Sequence, residues 1–341
     1  MNKWLSVFLD KVGLHLLHRK RSVLPQFRNH FDLQSFTAMN RDSFYHVRSV
    51  PSLSFELSYH EHYLSGCYKF DSPIHSGDAD NENTSGICYL SKRNEEPVHV
   101  IMVHGWRSDN LNNFKAIFLK QMLRRNYHVY FPTLPYHFNR TAGGLYSGEY
   151  MISANVGRTV TAIRQAVLEI RALIQWLKQH KGGKIILIGI SLGGYLSNLI
   201  SLYEKEIDAL VSVMYANDLS FEIWHTPIGR YIKQDLEIHG FTYEKLRQSW
   251  SIIRTDEQQP LISKEKILLI SGEFDQYIME KDAKGLWSAW GEPQRLLYPY
   301  GHAGIIFNRK QIAKDTLKFI DSIVTEGSSY VDCIYHHTHS T

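Results

Sequence analysis

The sequence predicts an α/β fold: a mostly parallel, doubly wound sheet with antiparallel N-terminal edge strands and a helical cap insertion. Three observations carry it. Short β-prone stretches parted by turn residues fill positions 53–90, nearly continuous apolar runs alternate with helical periodicity from residue 98 onward, and about fifty residues separate two of the later runs, more than a crossover helix needs.

The elements follow in order. Leu5, Phe8, Leu9, Val12 and Leu16 recur at helical spacing, interrupted by Asp10 and Lys11 and followed by the basic run His18, Arg19, Lys20 and Arg21. This predicts an amphipathic N-terminal segment (1–30), either packed on the domain or making peripheral membrane contact through residues 1–21. No small-residue cleavage site follows it, so it does not read as a signal peptide. The stretches Leu53 to Tyr59, Cys67 to Phe70 and Ile87 to Leu90 predict an edge meander. Val98 to Val103 begins the βα alternation, and His128 to Phe131, Ile185 to Ile190, Leu210 to Met214, Ile267 to Ile270 and Arg295 to Tyr298 continue it. One apolar stripe, Val156, Val160, Ile163, Val167, Ile170, Ile174 and Leu177, predicts a long helix ended by Gly182 and Gly183. The main domain spans 31–325 with its cap at about 217–263, and 326–341 reads as a flexible tail. Aromatics of the cap (Phe221, Trp224, Tyr231, Phe241, Tyr243, Trp250) and of the loop from Tyr136 to Tyr150 either wall a vestibule or form the core of their own segments.

Composition excludes several classes. In 341 residues, 43% are hydrophobic and the net charge is only +4, so disorder and a polyanion-binding surface are both disfavoured, and no nucleic-acid partner is expected. Cys67, Cys88 and Cys333 are too few and scattered for a disulfide framework or a zinc site. No apolar run reaches the roughly 18 residues of a membrane span, and a cytoplasmic location is expected. The sequons at Asn83 and Asn139 would need a secretory route that the sequence does not indicate. His336, His337 and His339 lie on the tail without a carboxylate or cysteine nearby, so no metal site is predicted. Neither a Walker loop nor a dinucleotide fingerprint occurs, and no cofactor is expected.

The chemistry concentrates in Gly189-Ile190-Ser191-Leu192-Gly193, placed between an apolar strand and a helical stretch. Such a turn is tight enough to strain its central residue, and glycines two positions to either side leave it room. It presents a serine hydroxyl at a helix N-terminus, where amides favour developing negative charge.

From Val98 to Val324 the chain resembles the α/β-hydrolase family, with Ile188 to Gly194 matching its elbow. The resemblance implies the triad order serine, acid, histidine. His302, in Gly301-His302-Ala303-Gly304 after the last strand, fits the histidine, and Asp275, in the loop after Ile267 to Ile270, fits the acid. Glu273 and Asp218 are alternatives for the acid, Asp218 otherwise reading as a helix cap. His104-Gly105-Trp106 resembles the family's oxyanion loop, which implies the amides of Trp106 and Leu192 as oxyanion donors. His104 reads as structural. The Trp106 indole either walls the acyl pocket or packs.

The triad residues imply a serine hydrolase acting through an acyl-enzyme on Ser191, and the resemblance to the family's esterases and lipases, with the aromatic loops, implies a carboxylic ester of medium-chain or lipid-like acyl groups as its substrate. An acyltransferase or thioesterase with the same triad is one alternative. A non-catalytic binding protein on the same fold is another. The expected partner is a small acyl ester, and the oligomeric state is left open.

Overall fold

The β-prone stretches assemble into one nine-stranded sheet in the computed structural model, which describes residues 2–19, 26–28, 40–93 and 96–335. The strands are β1 (Ser54–Tyr59), β2 (Tyr63–Asp71), β3 (Asn83–Ser91), β4 (Val98–Val103), β5 (His128–Pro132), β6 (Lys184–Ile190), β7 (Ala209–Val213), β8 (Ile267–Gly272) and β9 (Gln294–Tyr298). Their order is β1-β2-β3-β5-β4-β6-β7-β8-β9. The first three pair antiparallel, β3 meets β5 antiparallel, and every pair from β5 to β9 is parallel. This is the α/β architecture expected, antiparallel edge included.

Helices α1 (Lys3–Arg19) and α2 (Arg41–Phe44) precede the sheet, and α3 (Asn112–Arg124), α4 (Val156–His180) and α5 (Leu192–Ser201) connect its central strands. Between β7 and β8 the insertion carries α6 (Leu219–His225), α7 (Arg230–Ile238) and α8 (Tyr243–Ser249). Then come α9 (Glu280–Ala289), the single turn α10 (Gly304–Phe307) and α11 (Arg309–Tyr335). Helix α11 continues to Tyr335, into the segment that the sequence reading assigns to a flexible tail from 326, because a helix with good tertiary support can run through glycine and serines. The tail histidines 336, 337 and 339 lie outside the described residues, as do the basic residues 20 and 21.

All six residues of β4 are buried, which is why the run carries no polar alternation. Ile101 and Val103 pack in the layer that holds Val160 and Ile163 of α4 and Leu196 and Leu199 of α5. Val100 and Met102 point the other way, toward Phe114 and Phe118 of α3 and Ile312 and Ile320 of α11. Helices on both faces thus fix the height of the β4 and β6 C-terminal ends.

A buried ion pair ties the antiparallel edge to this core. Arg140 donates to Glu169 of α4 through two bonds of 2.7 Å, with side chains 1% and 3% exposed. Arg140 also reaches the carbonyls of Thr133 and Asn81, while Ser72 and Gln165 donate to the same carboxylate. Removing one partner strands a buried charge. Glu169→Ala is therefore expected to cost about 3–5 kcal/mol, read as a lowered midpoint in urea denaturation.

Candidate active site

Strand β6 ends at Ile190 and α5 begins at Leu192, so Ser191 alone makes the turn, with φ 57° and ψ −119°. Such a conformation costs on the order of 1–3 kcal/mol and persists only where its surroundings impose it. They do so by backbone contact. A Cβ at Gly189 would lie 2.1 Å from the Gly193 carbonyl oxygen, and one at Gly193 would lie 2.0 Å from that of Val103. No side chain can fit at either position.

The structure brings the three sequence-predicted residues together. His302 Nε2 is 3.0 Å from Ser191 Oγ, and its Nδ1 is 2.7 Å from Asp275 Oδ2. The other Asp275 oxygen accepts the amides of Tyr277 and Ile278 at 2.8 and 2.9 Å, so the carboxylate is fixed by its own loop. The His302 ring stacks on Tyr277, centroids 4.5 Å apart. Burial disfavours the charged ring, yet Asp275, by charge and hydrogen bond, and Asp10, by charge, outweigh it and hold the pKa above the ordinary 6.5. Glu273 is exposed, and Asp218 caps α6 by accepting from Ser220 and Phe221. Neither alternative acid meets His302.

The loop after β4 turns over the serine, and a Cβ at Gly105 would be 3.4 Å from Ser191 Cβ. Leu192 opens α5, so its amide has no partner within the helix. Among the described residues neither it nor the Trp106 amide donates to a protein group. Two buried histidines brace the loop. His104 accepts the Leu134 amide at Nε2 and donates from Nδ1 to the Gly105 carbonyl, and burial pushes its pKa down to about 4. His137 accepts the Arg107 amide and donates to Pro135. The Trp106 indole lines the cavity over Ser191 and is also pinned, donating to the Gly148 carbonyl at 2.7 Å.

Sequence reasoning missed Asp10. Its buried carboxylate accepts the amides of Gln276, His302 and Ala303 at 2.9, 2.9 and 2.8 Å, clamping the acid loop to the histidine loop from outside the sheet. Burial and the nearby Asp275 charge raise its pKa against these three bonds. A Cβ at Gly301 would strike this carboxylate at 2.4 Å. The signal was the interruption of the apolar helix by Asp10, four residues after Ser6 and four before Leu14, the other buried positions of α1.

A cavity of about 450 Å³ lies over Ser191 and His302, walled by Trp106, Phe114, Ile190, Ile228, Tyr277 and Ile305 among others. None of the cap or loop aromatics expected to form a vestibule lines it. Trp250 is buried and donates to the Val156 carbonyl, Phe221 and Tyr243 border a separate cavity, and Tyr136 donates to Asp78. These rings are amphipathic or large, and they find partners elsewhere in the fold rather than at the site.

Beneath the acid loop, Glu222 and Asp282 form a hydrogen-bonded pair of buried carboxyls. Burial, helped by the neighbouring carboxylates, raises both, Asp282 to about 7. Glu222 also accepts the Met279 amide.

A sheet of this order, carrying a strand-to-helix elbow, a histidine and an acid on the loops after its last strands, defines an α/β-hydrolase fold. The chain belongs to the alpha/beta hydrolase family, whose model matches residues 100–303. It is similar to the uncharacterized protein YdjC of Bacillus subtilis (strain 168), 48% identical over 111 residues, which are 33% of this chain and 96% of that one. It is also similar to the uncharacterized protein Rv2627c of Mycobacterium tuberculosis, 28% identical over 236 residues, 67% of this chain and 55% of that one. The match thus spans about half the length of the mycobacterial relative. An acetyl xylan esterase from Paenibacillus sp. R4 shares the fold, with a TM-score of 0.63 at 13% identity over 91% of this chain and 99% of that one. No helix among the described residues is long and apolar enough to cross a membrane.

Two predictions follow from the packing around the site. Asp10→Asn sets an amide N–H against main-chain donors and removes a charge near His302; the rate of Ser191 labelling by a fluorophosphonate should fall by about tenfold, with the midpoint of its acid limb moved to lower pH. The second concerns Glu222 and Asp282. The folded state holds a proton that the unfolded chain has lost between about pH 4 and 7, so their contribution to stability is full below that window and disappears as pH rises through it. Glu222→Gln can still donate to Asp282, and urea midpoints at pH 5 and pH 8 should differ less in this variant than in wild type.

Proposed function

We propose that the protein is a serine hydrolase that cleaves a carboxylic ester through an acyl-enzyme on Ser191. The observation that carries this reading is the unbroken relay from Ser191 Oγ to His302 to Asp275, at 3.0 and 2.7 Å. His302 Nε2 takes the hydroxyl proton as Ser191 Oγ attacks the ester carbonyl carbon. Asp275 holds the proton on Nδ1 and stabilises the imidazolium. The amides of Trp106 and Leu192 receive the oxyanion. Collapse of the tetrahedral species breaks the bond to the alkoxy oxygen, which leaves as the alcohol with the proton from His302. Water, deprotonated by the same ring, then attacks the acyl carbon, releasing the acid and restoring Ser191.

The cavity supports an acyl group of moderate size. Its apolar wall of Phe114, Ile190, Ile228 and Ile305 suits a hydrocarbon chain, and its volume falls in the range of small-molecule sites. Trp106, held by Gly148, gives that wall a fixed edge. The same cavity carries Arg107, Asp109 and Arg309, polar partners for the alcohol portion.

The test is labelling with a fluorophosphonate, followed by hydrolysis of p-nitrophenyl esters from acetyl to palmitoyl. Ser191→Ala is expected to abolish labelling and to lower kcat by at least about 10³-fold, with an optimum at intermediate chain length in the wild type. Failure of folded wild-type protein to label would overturn the reading. Because a neutral His302 is the base, kcat/KM should fall as pH is lowered through a midpoint above 6.5, and a flat profile between pH 5 and 8 would exclude His302 from that role.

A further inference from the structure

Helix α1 is packed inside out. Its buried residues are Ser6, Asp10 and Leu14, and Gly13 and Leu17 line the cavity over Ser191. With 3.6 residues per turn, the side turned away from these carries Trp4, Phe8, Val12 and Leu16, which are 86, 60, 41 and 55% exposed. A helix that only completes a domain turns such residues inward. A second element that α1 touches also carries exposed apolar residues. Asp10 holds His302 and Ala303, the residues just before α10, and Ile306 and Phe307 of α10 are exposed as well. Ile306 also lines the cavity.

On the two segments themselves the exposed charges are cationic, with Glu273 beside Phe274 and Asp109 of the cavity as the acids nearby. Among residues 2–19 the cations are Lys3, Lys11 and Arg19, and the acid Asp10 is buried with both oxygens taken by amides. Residues 301–314 contain Arg309, Lys310 and Lys314 and no acid. Apolar side chains ringed by cations match the headgroup boundary of an anionic bilayer. A second copy of the chain fits worse, since a twofold pairing of this face would bring the cations of both α1 helices toward each other.

We propose that the outer face of α1, with the exposed end of α10, seats the protein on an anionic phospholipid surface. The polar side of the helix stays in place against the acid and histidine loops, while Trp4, Phe8, Val12 and Leu16 enter the interface. Because Ile306 belongs to both the patch and the cavity, the seated protein presents its site beside the lipid. This inference does not depend on the proposed reaction, since it is read by binding.

The experiment is sedimentation of the 341-residue chain with phosphatidylcholine vesicles, either pure or containing about one-third phosphatidylglycerol, at low and high salt. Wild type is expected to pellet with the anionic vesicles and to be partly released by salt. The double variant Trp4→Glu, Phe8→Glu should bind at least about tenfold more weakly, with an unchanged melting temperature. Equal recovery of both proteins in the supernatant overturns the proposal, as does binding that the double variant retains. Gel filtration separates the remaining possibility: a wild-type dimer that the variant loses, without vesicle binding, assigns the face to a second copy and also overturns it. Fluorophosphonate labelling of the same samples reports the hydrolase reading separately.

Discussion

Gly193 presses its backbone onto the carbonyl of Val103, and Gly189 presses onto Gly193 in turn. That contact holds the elbow against the end of β4, and the loop that follows β4 passes over Ser191 at Gly105. A single close approach therefore sets both the proposed nucleophile and the amide proposed to receive the oxyanion. A side chain at either glycine would separate the strand ends and shift both groups at once. The buried imidazoles of His104 and His137 then hold the loop in the shape this contact begins.

The other half of the site rests on the ends of β8 and β9, where the amides of Glu273 and Phe274 donate to the carbonyls of Tyr298 and Tyr300 and a Cβ at Gly272 would lie 2.5 Å from the Tyr300 carbonyl oxygen. Asp275 and His302 stand on loops after β8 and β9, and β9 is the outermost strand, with none of its residues buried. Asp10 of α1 adds a side-chain acceptor that takes amides of both loops farther from the strand ends. It works electrostatically too. Two carboxylates now bear on one imidazole, and together they outweigh the burial that would keep it neutral.

The elbow, the histidine and the acid are legible in the sequence because each depends on residue types that must stand at fixed places. Only glycine tolerates positions 189 and 193, and only an apolar run suits β4 and β6, buried on both faces. The Asp10 clamp leaves no comparable trace, since its partners are main-chain amides that any residue other than proline provides. The same holds for His137, whose ring accepts the amide of Arg107. Aromatic content left two readings open for a different reason. Composition states that Trp250 or Tyr136 will be covered, and it does not state by what. Helix α11 outran its expected end because Glu326, Gly327 and Ser328 resemble a terminus locally, while helix continuation is decided by the turns before them.

The contact of Asp10 with His302 spans 292 residues of sequence. Loop-closure entropy grows only logarithmically with length, so the equilibrium cost of so distant a contact is modest. Its cost in time is different. During synthesis, at roughly 5–20 residues per second, α1 leaves the ribosome long before the loop it will hold exists, with its apolar face already made. The tie between α1 and the histidine loop can therefore close only after nearly three hundred further residues have been made.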